Sequence, residues 1–145
     1  MLEKIKKTIK EKYALDSSYG LFLSGFDKDD TLILSHGVLE TNKPLLETID
    51  LIYQWLFVKH ESWLHRVLVD IVLDVVQESD IQKIIWYDPA SYGFAVVSDE
   101  TWCVVLPNTA WVSTAKDALG ILKKKHAITW KAYIYIFETI RLSVL

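Results

Sequence analysis

From Val67 to Val76 the chain places Val67, Val69, Ile71, Leu73 and Val75 at alternate positions, with Leu68, Asp70, Val72, Asp74 and Val76 between them. Side chains of an extended strand point to opposite faces with a period of two, and β-branched residues pack well on that pleated surface. The alternation therefore predicts a strand with one uniformly apolar, buried face and a second face carrying Asp70 and Asp74. Such a strand is not stable alone. It requires partner strands, and helices to cover the apolar face.

The segments on either side supply both. Leu2, Ile5, Ile9 and Tyr13 recur at helical spacing, with Lys4, Lys6, Lys7, Lys10, Glu11 and Lys12 on the other faces. This predicts an amphipathic helix over residues 2–14 with a solvated basic face. Asp16–Gly20 ends it. Leu21–Phe26 reads as a strand, Asp27–Asp30 as a polar turn and Thr31–Leu34 as the partner strand. The turn lacks the glycine and the closing glutamate of a calcium loop, so it is expected to be a hairpin tip. Ser35-His36-Gly37 then forms a polar corner, with Gly37 expected at a positive φ. Next comes a helix capped by Asn42 or Lys43, with Pro44 in its first turn, where a missing amide costs nothing. Its buried stripe is Leu45, Ile49, Ile52, Tyr53 and Leu56, and His60–Trp63 closes it.

Beyond the valine-rich strand, residues 79–85 suit a short helix and Tyr87-Asp88-Pro89 a turn. A second hairpin runs from Gly93–Val97 through residues 98–101 to Trp102–Leu106. Thr114 and Asp117 have the spacing of a capping box, and Ala115, Ala118, Leu119 and Leu122 form the buried face of the helix that follows. Lys123, Lys124 and Lys125 lie at its last turn, where cations meet the negative end of the helix dipole. A final strand carries Ala132, Ile134 and Ile136 on one side and Tyr133, Tyr135 and Phe137 on the other.

Ser18-Tyr19-Gly20 opens the first hairpin and Ser91-Tyr92-Gly93 the second, 73 residues later (91 − 18), and Thr41 and Thr114 keep that offset at the helix starts. Both halves read strand, strand, helix, strand. The expected fold class is α+β: one domain spanning residues 1–145, antiparallel hairpins with helices packed on the sheet, and a duplicated β-β-α-β unit.

Composition narrows the chemistry. A net charge of −3 gives no clustered basic surface, so no nucleic-acid partner is expected. No apolar run approaches the roughly 20 residues of a membrane span. Residues 1–7 are charged with no apolar core after them, unlike a secretory signal. Cys103 is the one cysteine, which excludes an internal disulfide and fits a reducing cytoplasm. It has no basic residue within four positions and is expected to be an unreactive sheet residue. His60 and His65 are five apart, which on a helix places them on different faces, and no metal site is expected. No cofactor-binding glycine loop occurs. Asp70 and Asp74 lie roughly 13 Å apart along a strand, too far to share a proton. Adjacent Ser35 and His36 point to opposite faces of a strand, so they do not pair with each other.

The segment Leu32-Ile33-Leu34-Ser35-His36-Gly37-Val38-Leu39, followed by Pro44-Leu45, resembles the hallmark of the AMMECR family, the protein A component of the AmmeMemoRadiSam set. That hallmark reads L-R-G-C-I-G-x-L before a Pro-Leu helix start. Val69–Val75, Val105-Leu106-Pro107, Lys125-His126-Ala127 and Trp130 resemble later family elements, so the likeness covers most of the chain in outline. The family's Arg, first Gly and Cys fall on Ile33, Leu34 and Ser35, and only Gly37 matches the final glycine. Of its Asp-Pro-Arg-Phe segment, Trp63 alone is left. The resemblance implies a fold more than a reaction, and any chemistry of that Arg and Cys is absent here.

Two functional readings follow. The first is a non-catalytic AMMECR-like module that binds a protein partner or small ligand, with Ser35, His36, Gly37, Trp63 and Pro107 as candidate ligand-binding residues. The alternative is a small enzyme at the Ser35–Gly37 corner, using His36 with Ser35 and a carboxylate, Asp70 or Asp74. The enzyme requires His36 to meet a carboxylate in a pocket; the binding module requires an exposed aromatic patch.

Overall fold

The computed structural model describes residues 1–12, 18–97, 102–109, 112–125 and 133–145. In chain order these form α1 (Leu2–Lys12), β1 (Leu21–Phe26), β2 (Leu32–Val38), α2 (Leu45–Ile52), β3 (Arg66–Gln77), α3 (Ile81–Ile84), β4 (Tyr92–Val97), β5 (Trp102–Val105), α4 (Ala115–Lys125) and β6 (Tyr133–Val144). Between α2 and β3 the chain stays helical through a π-turn, Tyr53–Phe57, and a 3-10 turn, Val58–Trp63. The class is α+β with antiparallel hairpins and helices packed on sheet, as expected. Tyr13, residues 98–101 and the segment with Trp130 lie outside the described residues.

The chain divides into two compact units: Met1–Leu73 with Ile140–Leu145, and Asp74–Thr139. In the first, the strand order is β2-β1-β3, with the C-terminal end of β6 beside β3. Its core consists of Ile5 and Ile9 of α1, Leu21 and Leu23 of β1, Leu45, Ile49 and Ile52 of α2, Tyr53 and Phe57 of the π-turn, Val67, Val69 and Ile71 of β3, and Leu142 and Val144 of β6. Val67, Val69 and Ile71 of the odd-numbered face of β3 are thus buried, as the alternation predicts, whereas Leu73 and Val75 are only partly buried. Its other face is buried too where Asp70 and Val72 lie.

In the second unit β6 pairs with β4 and β4 with β5, all antiparallel. The core here is Ile84, Phe94, Val96, Val105, Ile136 and the α4 residues Ala115, Ala118, Leu119 and Leu122. Thr114 caps α4 as its spacing predicts. Its Oγ1 accepts the Asp117 amide at 3.2 Å, and Asp117 Oδ2 accepts the amides of Ser113 and Thr114 at 3.1 and 3.2 Å. Thr114→Ala is expected to lower stability by about 1 kcal/mol, whereas Thr114→Ser retains it. Equal urea midpoints for wild type and Thr114→Ala would show that the cap contributes nothing.

The two units repeat one element order, helix-strand-strand-helix-strand. The hairpin cores Leu21 and Leu23 correspond to Phe94 and Val96 at the 73-residue offset (94 − 21). The helices shift. Leu45, Thr48, Ile49 and Ile52 of α2 match Ala115, Ala118, Leu119 and Leu122 of α4 at an offset of 70 (115 − 45), because Pro44, not Thr41, precedes α2. Pro44 itself is the N-cap residue and no side chain caps the helix. The Asn42 or Lys43 cap expected from the sequence is therefore not formed.

Candidate functional site

The polar corner expected at residues 35–37 is not a corner. β2 continues through Val38, paired with β1 in the register Gly25↔Leu34, Ser24↔Ser35, Leu23↔His36, Phe22↔Gly37 and Leu21↔Val38. Pairing with an apolar neighbour strand overrides the local turn character of Ser, His and Gly. No described glycine has a positive φ, so Gly37 is a glycine for another reason. A Cβ there would stand 2.5 Å from Phe22 Cδ1, 2.6 Å from Phe22 Cα, and still closer to the Leu21 carbonyl oxygen. The Phe22 ring occupies the place a side chain would take. Close approach, not turn geometry, fixes the residue.

Directly opposed residues of antiparallel strands share a face. His36 therefore lies on the core side with Leu34, Leu21 and Leu23. Ser35 and Gly37 lie on the other side with Ser24 and Phe22, where the β1–β3 register also places Leu68 and Asp70. Ser35 Oγ is 3.1 Å from Oγ of buried Ser24, so it has a structural partner that its neighbours in sequence do not suggest. Asp70 is completely buried, and its carboxylate accepts two hydrogen bonds from Arg141, Nε to Oδ1 at 2.8 Å and Nη2 to Oδ2 at 3.3 Å. The trio considered for catalysis is thus split between faces, with His36 on one and Ser35 and Asp70 on the other. Asp74 is exposed, has a φ of 45° and belongs to the second unit.

His36 is half-buried, and burial pulls its pKa below the ordinary histidine value of 6.5. A histidine depressed in the native state binds protons more readily when unfolded. Its contribution to stability is therefore lost as pH falls through the unfolded value towards the lower native one. The urea midpoint of wild type should drop more between pH 7 and pH 5 than that of His36→Gln. An imidazole titration midpoint at or above 6.5 in the folded protein would contradict this.

Against His36 stands Trp55, with ring centroids 5.0 Å apart at an interplanar angle of 79°, an edge-to-face pair. The π-turn explains how it comes to stand there. Widening the helix by one residue keeps Tyr53 and Phe57 buried and stacked 5.8 Å apart, leaves Leu56 only partly covered, and turns Trp55 outwards. Trp55 is 62% exposed, flanked along the helical path by Leu51 at 48% and Val58 at 43%. The result is an aromatic and aliphatic stripe on the helical path, with Trp55 against His36 of strand β2, whose one strand neighbour among the described residues is β1.

The remaining candidates lie apart from this stripe in sequence and in setting. Trp63 ends the 3-10 turn and is strongly exposed. Pro107 belongs to the second unit, buried after β5. Cys103 is half-buried on β5, its Sγ 4.0 Å from the Leu122 carbonyl. His60 and His65 are both exposed, and among the described residues no three His, Cys, Asp or Glu side chains are grouped as metal ligands. No described helix is long and apolar enough to cross a membrane. Trp55, Leu51 and Val58 escaped the sequence reading. Their signal is a helix with apolar residues at 51, 55 and 58 in addition to its buried stripe, which leaves one apolar face without a core to enter.

The chain matches no known protein-family profile, and no curated protein matches it in sequence. Its fold recurs in the crystal structure of an uncharacterized protein, PH0010, from Pyrococcus horikoshii, with a TM-score of 0.73 over 98% of this chain and 86% of that one. Identity is 14%, so the likeness is one of fold.

Proposed function

We propose that this chain is a divergent AMMECR-like domain that works in the cytoplasm as a non-catalytic binding module for a protein partner. Its recognition surface is the edge strand β2 together with the stripe Leu51, Trp55 and Val58. The observation that carries this reading is a tryptophan 62% exposed on a π-turn, braced by His36 of an edge strand. Large exposed aromatics concentrate where partners bind, and π-turns recur at functional sites. The AMMECR component rests on Gly37, Pro44-Leu45 and Pro107, at the end of β2, the start of α2 and the end of β5. The separation of His36 from Ser35 and Asp70 weighs against the catalytic alternative.

Replacing Trp55 with photoreactive benzoylphenylalanine in cells tests the reading, with the same replacement at Trp86, which is 84% exposed in the second unit, as the control. A discrete protein adduct from position 55 and none from position 86 is expected. No adduct, or equal adducts from both positions, would overturn it.

A further inference from the structure

Resting on that reading, we infer that Tyr53–Trp63 is a two-register switch. It passes between the π-turn and 3-10 turn described above and one continuous α-helix, and the α register withdraws Trp55 from the recognition surface. A wide turn followed by a narrow one allows this. The five residues of the π-turn rotate by roughly 80° each and the six of the 3-10 turn by about 120°. Together they turn the chain through roughly 1,120°, and the same residues as an α-helix turn it through roughly 1,100°. The longer rise of the 3-10 turn offsets the shorter rise of the π-turn. Both registers therefore deliver the chain to Leu64 in nearly the same place. Leu64 keeps its packing on the core, and the His65 amide keeps its bond to the Phe26 carbonyl at 2.8 Å.

The difference accumulates in the middle of the segment. Each π residue lags an α residue by about 20°, so the α register turns Trp55 by about 60° and Leu56 by about 80°. Leu56 lies one residue, and roughly 80°, behind Phe57 in the π-turn. The α register therefore brings Leu56 to the place that Phe57 held and carries Phe57 out of it. Trp55 turns from solvent towards the flank facing β2, where His36 already stands against it. Tyr53, at the start of the segment, turns least and stays in the core.

The sequence suits both registers. Phe57 is fully buried and Leu56 partly covered, and the switch exchanges them, apolar for apolar. In the α register Leu56 completes the buried row Leu45, Ile49 and Ile52, which is the stripe that helical spacing predicts. Little else resists the change. No residue of the 3-10 turn is buried, so its backbone re-forms without drawing a side chain from the core. A 3-10 stretch inside a longer helical path is also where functional hinges recur. The π register is the one that presents Trp55, so a partner that covers this side chain selects that register.

Stability and one spectroscopic probe test the switch without any partner. Phe57→Gln places a polar side chain in the core of the π register and should lower the urea midpoint. Adding Leu56→Phe returns an aromatic ring to the same place through the α register and should recover at least half of that loss. In a fixed π register Leu56→Phe cannot fill the space left at position 57. In fluorotryptophan-labelled protein, the Trp55 fluorine resonance, assigned by its absence in Trp55→Phe, should lose at least half of its solvent isotope shift in the double variant. That of Trp86 should keep it. A double variant no more stable than Phe57→Gln, or a Trp55 resonance as exposed as in wild type, overturns the inference. If Phe57→Gln alone does not fold, a folded double variant supports the switch and an unfolded one overturns it. Benzoylphenylalanine at position 55 separates the switch from the reading it rests on. An adduct in the wild-type background and none in the double variant supports both, and equal adducts overturn the withdrawal of position 55. A shifted Trp55 resonance in a protein that gives no adduct removes the binding module and leaves the switch standing.

Discussion

Gly37→Val is expected to lower stability by about 3 kcal/mol or more, the range reached when added atoms have no space to enter. The new side chain meets backbone on β1, the Leu21 carbonyl and Phe22 Cα, as well as the Phe22 ring. A ring can rotate away, but the backbone of a paired strand moves only if the β1–β2 ladder opens. Phe22 is itself fully buried, so it has little room to retreat. Gly37→Ala should already be harmful, because the Cβ is the clashing atom. Chemical denaturation of both variants is the check, and a Gly37→Ala protein as stable as wild type would mean that β2 does not approach β1 as closely as described.

Breaking the Asp70–Arg141 pair has the second large effect. Arg141→Met leaves a fully buried carboxylate without its guanidinium partner, which costs about 3–5 kcal/mol. Arg141 is itself only partly buried, so the penalty arises mainly from Asp70. Replacing both residues, as in Asp70→Val with Arg141→Met, removes the uncompensated charge and should recover most of the loss. A double variant no more stable than Arg141→Met would show that the aspartate is held chiefly by other groups. Ser35→Ala belongs to a milder class. It takes a hydroxyl partner from buried Ser24 and should cost about 1 kcal/mol.

The sequence is most legible where local pattern and tertiary environment agree. Val67–Val76 alternates because one face of β3 enters the core, and the Thr114–Asp117 box lies within one turn of the helix it starts. The repeated Ser-Tyr-Gly marks equivalent positions in two units with the same element order. Legibility fails where a distant partner decides. Ser35, His36 and Gly37 have the composition of a turn, yet β1 pairs with all three and draws them into a strand. Asp70 looks like a residue for a solvent face until Arg141, 71 positions away, neutralises it. The π-turn has no signature in periodicity, because one extra residue in a turn merely blurs the helical stripe. That blur is what hid Trp55. The AMMECR resemblance drew attention to Ser35–Gly37 as a corner, and so away from the neighbouring helix surface.

Amide hydrogen exchange across Leu32–Val38 is the most direct measurement of whether β2 is a recognition edge. In dilute, unengaged protein the amides of β2 that do not bond to β1 should exchange quickly, while those of β1 and β3 remain protected. When the partner captured at position 55 is present at saturation, those β2 amides should slow at least about tenfold, with little change in β4 and β5. Outward β2 amides that are equally protected, or equally exposed, in both conditions would contradict a recognition role for this edge.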